Sequence, residues 1–303
     1  FLCVMFRSYY VGITQTKILT VNSIVMLLSN VVLNYCLIFG KGGFPAMGVA
    51  GAAIASSVAE AVSLAFFIIY TGITADKRKY GFRKAFTFRP QLLKGMLSIS
   101  GWTMVQSFIS VSVWFIFFLA IEHLGERPLA VTNIVRNMAA MLIMVMSAFA
   151  TTAGALISNQ IGAGEQRFLF KTCGMTLNLT YALLIPLLII LCLFPEPILR
   201  IFTDNPSLIA ASIPSVYVMA TSTLISAPAF ILFNAVSGTG NTRAGFVMEM
   251  ITLAVYTVAV YYGVIVLKPD VALCWFSEHI YGLVLISLTW WYLKSGRWRG
   301  KKV

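Results

Sequence analysis

Long apolar stretches separated by short polar connectors dominate this chain. Eight of them, at about 18–39, 49–73, 92–121, 129–158, 168–194, 208–236, 244–267 and 271–293, are complete. Each reaches or exceeds the roughly 20 residues with which an α-helix crosses about 30 Å of hydrocarbon. Residues 1–11 read as the end of another span, stopped by GITQTK at 12–17. Connectors such as GKGGFPAMG, EHLGERP, NQIGAGEQR, GTGNTR and KPD carry the Gly, Pro, Asn and charged residues that end helices. The pattern predicts an all-α polytopic membrane protein. Because the chain opens with Phe1 inside an apolar run, it is expected to be the C-terminal part of a longer protein.

The longest polar run, DKRKYGFRKAFTFRPQLLK at 76–94, holds seven of the 22 Lys and Arg residues. Basic loops mark the cytoplasmic side of a membrane, so this run orients the rest. Only Lys41, Arg127, Arg200 and Lys268 fall in loops of the opposite sense, and Arg136 alone falls inside a span. The other 17 cations alternate correctly through all eight spans, which places the C-terminus in the cytoplasm. The cytoplasmic (inner) membrane is the expected location.

Composition narrows the function classes. Only 11% of residues are charged and the mean hydropathy is +0.88, against about 25% charged in soluble domains. The net charge of +12 is absorbed by topology, so no nucleic-acid partner is expected. The five cysteines form no CxxC pair and no metal spacing, and read as small packing residues. No cofactor is expected.

Ionisable groups inside spans cost roughly 2.5–3.5 kcal/mol on insertion scales and call for a partner or a cavity. Glu60 lies near the middle of its span, while Glu278 and Arg136 lie roughly 10 Å from the outer ends of theirs. Glu60 and Glu278 are therefore candidates for proton or substrate handling, with structural pairing as the alternative. Their similar depths predict an ion pair between Arg136 and Glu278. Glu249 lies nearer the cytoplasmic interface and reads first as structural, and the isolated His123 and His279 read as interfacial packing. Thr103, Ser107, Ser110 and Trp114 recur on one helical face with Gln106 beside it. With Arg136 they form a candidate substrate cavity; packing by interhelical hydroxyls is the plainer alternative. Pro186, Pro214 and Pro228 lie within spans and predict kinks.

There is an internal echo. GITQTK (12–17) and GTGNTR (238–243) share a pattern and the same place in the span order. That implies two bundles related by an axis along the membrane normal.

The run NYCLIFGKGGFPAMGVAGAAIAS (34–56), the two Gly-to-Thr-cation turns, SNQIGAGE (158–165) and SGRWRGKK (295–302) together resemble the multidrug and toxic compound extrusion (MATE) family. The resemblance implies two pseudo-symmetric six-helix bundles around an alternately opening cavity. The first bundle would be truncated to the end of helix 4 and helices 5 and 6 (1–75). The basic inter-bundle loop would be 76–94, and helices 7 to 12 with the basic tail would be 95–303. It further implies secondary active export of organic, chiefly cationic, compounds in exchange for Na⁺ or H⁺, by a monomer in the lipid bilayer. In one branch of that family helix 5 contributes to a cation site; the matching positions here are Asn30 and Asn34, i and i+4 on one face. That branch has Asp at the second position. The amide here can coordinate a cation but cannot carry a proton. The usual acid of helix 7 is also absent, Gln106 being the nearest polar residue. Two other functions are compatible with such a set of spans. A flippase for lipid-linked oligosaccharide or polysaccharide, of the same superfamily, calls for a cavity richer in cations. A membrane-embedded enzyme calls for a nucleophile, base or metal cluster that is not evident.

Overall fold

The computed structural model describes residues 2–74 and 90–299. Most of the basic run at 76–94, and the last residues of the tail, lie outside them. Among the described residues, eight helices are long and apolar enough to cross a membrane: Lys17–Phe39, Gly48–Thr74, Pro90–Glu122, Glu126–Gly162, Gln166–Leu193, Pro206–Gly238, Thr242–Val266 and Val271–Lys294. Their number and order are those read from hydropathy. The chain divides into two compact units, Phe1–Arg89 and Pro90–Val303.

In the first unit, α1 (Leu2–Gly12) precedes the antiparallel pair α2 (Lys17–Phe39) and α3 (Gly48–Thr74). Their turn needs left-handed backbone at Gly40 (φ 66°), Gly42 (φ 68°) and Gly43 (φ 86°), which glycine adopts without a Cβ penalty. The Met47 amide then donates to the Leu37 carbonyl at 2.9 Å. A Cβ on Gly51 would lie 2.6 Å from that same oxygen, so only glycine lets α3 approach this closely. From there Gly51, Ala55, Ala59, Ser63 and Phe67 repeat every four residues as the buried stripe of α3. Ser63 accepts a hydrogen bond from the buried Asn22 at 2.8 Å. Tyr10 and Thr71 share another at 2.8 Å, and Phe6 and Tyr10 both stack on Phe67.

The second unit comprises α4 (Pro90–Glu122), α5 (Glu126–Gly162), α6 (Leu169–Leu193), the short α7 (Pro195–Leu199), α8 (Pro206–Gly238), α9 (Thr242–Val260), the short α10 (Val271–Cys274) and α11 (Ser277–Lys294). Pro90 occupies the first turn of α4, where its missing N–H costs nothing. Lys94, assigned to the loop by its charge, therefore sits within the helix. α8 is the axle of the unit, more of it buried than of any other described span. It packs against α5, α6 and α11, while α9 packs between α4 and α11. Against α5 the contact is backbone to backbone. A Cβ on Gly238 would lie 2.4 Å from the Gly154 carbonyl oxygen, and one on Gly154 would lie 2.9 Å from that of Asn234. Pro186 lies within α6, and Pro214 and Pro228 within α8, all in continuous helices. α9 runs on as a wider π-type turn over Tyr261–Val266.

The two echoed turns share a backbone feature. Their third residues, Thr14 (φ 60°) and Gly240 (φ 77°), are both left-handed. In the second, the Asn241 side chain caps α9 by accepting from the Ala244 amide at 3.4 Å, and its amide nitrogen donates to Tyr292.

Candidate functional site

Within the second unit, α4, α5, α8, α9 and α11 enclose a cavity of about 600 Å³. Five of the residues predicted for it on α4 and α5 line it: Gln106, Ser107, Ser110 and Trp114 on α4, and Arg136 on α5. Thr103 does not; it is exposed, a turn outside the lining. Glu278 also lines this cavity. So do Ser147, Ser222, Thr223, Ser226 and Asn234, together with Met146, Met219, Phe230 and Trp275. The wall is chiefly apolar and aromatic with a few convergent polar groups, the character of a small-molecule site.

The residue that sequence reasoning undervalued is Glu249. It lines the cavity and is only 3% exposed. Its Oε1 accepts from Ser110 Oγ at 3.0 Å and from the Tyr281 hydroxyl at 2.9 Å. Its Oε2 is buried with no hydrogen-bond partner. An unpaired buried acceptor costs about 1–3 kcal/mol, so Oε2 is an open coordination point. Glu278 Oε1 accepts from Tyr256 at 2.8 Å, and the two tyrosine rings meet edge to face at 5.9 Å. On α9 the acid and tyrosine are seven residues apart, and on α11 three, so each pair shares a helix face. Because the helices run antiparallel, each acid meets the other helix's tyrosine. An acid and a tyrosine at face-sharing spacing on successive spans was the signal that could have found Glu249.

The ion pair expected between Arg136 and Glu278 is not formed. Among the described residues the ion pair present is Arg200–Glu196, 2.8 Å, on the surface. Glu278 is taken by Tyr256, while the Arg136 guanidinium lies 5.0 Å from the Phe118 ring centre and 5.9 Å from that of Trp114. Equal depth did not decide the direction in which each side chain leaves its helix. The Arg136 Nε is buried and makes no hydrogen bond.

In the first unit, Asn34 Nδ2 donates to Asn30 Oδ1 at 2.7 Å, and Asn30 Nδ2 to Ser56 Oγ at 3.3 Å. Asn34 Oδ1 is buried without a partner, so the chain of amides ends on one free acceptor able to help ligate a hard cation. Glu60 stands apart, its side chain exposed on α3. His123 contacts the Leu119 carbonyl at 2.7 Å, and His279 contacts Thr221 Oγ1 at 3.0 Å. Among the described residues no three His, Cys, Asp or Glu side chains converge as a metal site, and all five cysteines are free.

Comparison with known proteins gives a consistent set of relatives. The MatE family pattern matches residues 103–262, more than half of the chain. A probable multidrug resistance protein NorM from Thermotoga maritima is 27% identical over 227 residues, covering 74% of this chain and 48% of that protein. The Vibrio cholerae MATE transporter VcmN superposes with a TM-score of 0.83 at 13% identity, covering 97% of this chain and 65% of that one. The MATE transporter ClbM, solved in complex with Rb⁺, superposes with a TM-score of 0.78 at 19% identity, over 98% of this chain and 66% of its own. The chain spans about half the length of the curated relatives it matches.

Proposed function

Since this chain belongs to the MatE family of membrane transporters, we propose that it forms part of a secondary active exporter of organic, chiefly cationic, compounds, driven by inward Na⁺ or H⁺. The observation that carries this reading is the cavity of the second unit. It is large enough for a drug-sized molecule, walled by aromatic and methionine side chains, and holds two carboxylates, Glu249 and Glu278. Flat amphipathic cations suit such a surface, because aromatic faces and carboxylates both attract positive charge. The family's known members are transporters rather than enzymes.

Two places could carry coupling. Asn30 and Asn34 offer amide oxygens for a monovalent cation, with Asn34 Oδ1 free to ligate. Glu249 and Glu278 can exchange protons, which no amide can do. On this reading protonation of either acid weakens the hold on a cationic substrate, so H⁺ and substrate compete for one cavity. A cavity with one Arg and two Glu is poorly suited to a polyanionic lipid-linked glycan, which sets the flippase second.

The test is efflux of a fluorescent organic cation from vesicles holding the complete transporter, with Na⁺ and H⁺ gradients imposed separately. Accumulation changes driven by one gradient and lost in Glu249→Gln support the reading. Efflux that ignores both gradients refutes it.

A further inference from the structure

We propose that the second unit's cavity selects zwitterionic amphiphiles over simple cations, with Arg136 as the anchor for a carboxylate on the substrate. The inference rests on the cavity being the substrate site. Arginine stays protonated at any physiological pH, and its planar fork of N–H donors matches a carboxylate edge on. Arg136 lines the cavity from α5. Among the described residues no carboxylate lies within ion-pair distance of it, and its Nε, though buried, has no hydrogen bond.

The two acids of the same cavity are already engaged elsewhere. Glu249 receives Ser110 and Tyr281, and Glu278 receives Tyr256. The Arg136 guanidinium has instead the rings of Phe118 and Trp114, at 5.0 and 5.9 Å. Ring faces stabilise a cation but do not replace the oxygen acceptors that its N–H donors would take. The result is a guanidinium with an unsatisfied Nε in a mainly apolar pocket, where a bidentate carboxylate is the strongest complement. The opposite pole is present in the same cavity, since Glu249 Oε2 is buried and also unpartnered. A cavity offering one free guanidinium and one free carboxylate oxygen is complementary to a molecule carrying both charges. An aromatic body between them suits the apolar wall of Met219, Phe230 and Trp275.

The test uses a matched pair of dyes, rhodamine B, which has a free carboxylate and a cationic xanthylium, and its ethyl ester, which is cationic only. Their binding to the purified 303-residue chain in detergent is read by fluorescence anisotropy and corrected for partition into empty micelles. The wild-type chain is expected to bind the acid at least tenfold tighter than the ester. Arg136→Gln should erase that ratio, and Arg136→Lys, which keeps the charge but not the fork, should retain only part of it. Because the readout is a ratio between two dyes on one protein, a general loss of folded material does not imitate it. The wild-type ratio also stands without any variant. Equal binding of acid and ester by the wild type, or an unchanged ratio in Arg136→Gln, overturns the proposal while leaving the cavity a cation site. If neither dye binds, the cavity is not the substrate site and both readings fall.

Discussion

Tyr256 and Tyr281 meet the two cavity carboxylates in crossed order, each hydroxyl reaching the acid on the neighbouring helix. Crossed pairing has a measurable signature. In a double-mutant cycle on thermal stability, Tyr281→Phe with Glu249→Gln should show a coupling of about 1 kcal/mol, as should Tyr256→Phe with Glu278→Gln. The uncrossed combinations should add to within about 0.5 kcal/mol. Coupling in the uncrossed combinations alone would mean that the hydroxyls point the other way. Asn34 belongs to the same scale. Its free Oδ1 makes Asn34→Ala the variant expected to weaken ion-coupled efflux while the protein is still expressed and membrane-inserted. Efflux with undiminished Na⁺ and H⁺ dependence in that variant would remove Asn34 from coupling, and loss of expression would assign it to packing.

Between spans, the left-handed Thr14 stands out against its counterpart Gly240. A β-branched residue at positive φ carries strain of roughly 1–3 kcal/mol, and Gly accepts the same backbone freely at some cost in unfolded-state entropy. Thr14→Gly should therefore stabilise the first unit by about 1 kcal/mol, and Gly240→Thr should destabilise the second by at least as much. Melting curves that move both variants in one direction would show that the two turns are not equivalent. The helices themselves were legible in hydropathy, because a span is a requirement of length and apolarity that no tertiary contact can override. The site was legible only in part. The face of Ser107, Ser110 and Trp114 follows from helical spacing, and the structure brings it to the cavity. The partners of Glu278 and Arg136 do not, since they depend on the angle at which each helix presents its side chains to the next. Asn22 and Ser63, joined across α2 and α3, escaped notice for the same reason.

For the molecule as a whole, orientation is the property most exposed to experiment. The charge pattern predicts the α2–α3 turn outside and the C-terminal end of α11 inside. With the native cysteines replaced, Lys41→Cys should react with a membrane-impermeant thiol reagent only from the outer face, and Arg299→Cys only from the cytoplasmic face; the reverse result would invert every span. The backbone contact between Gly154 and Gly238 bears on how such a molecule changes shape. Side chains can rotate past one another, but two main chains in contact have no soft layer between them to shear. α5 and α8 should therefore travel as a single strut. Spin labels on their lipid-facing surfaces are expected to keep one fixed separation through the whole working cycle. A separation that changes with ligand or gradient would show that the strut is hinged. Whatever bending the second unit undergoes then falls to its other joints, with the widened turn at the end of α9 as the place where the ladder is already loosened.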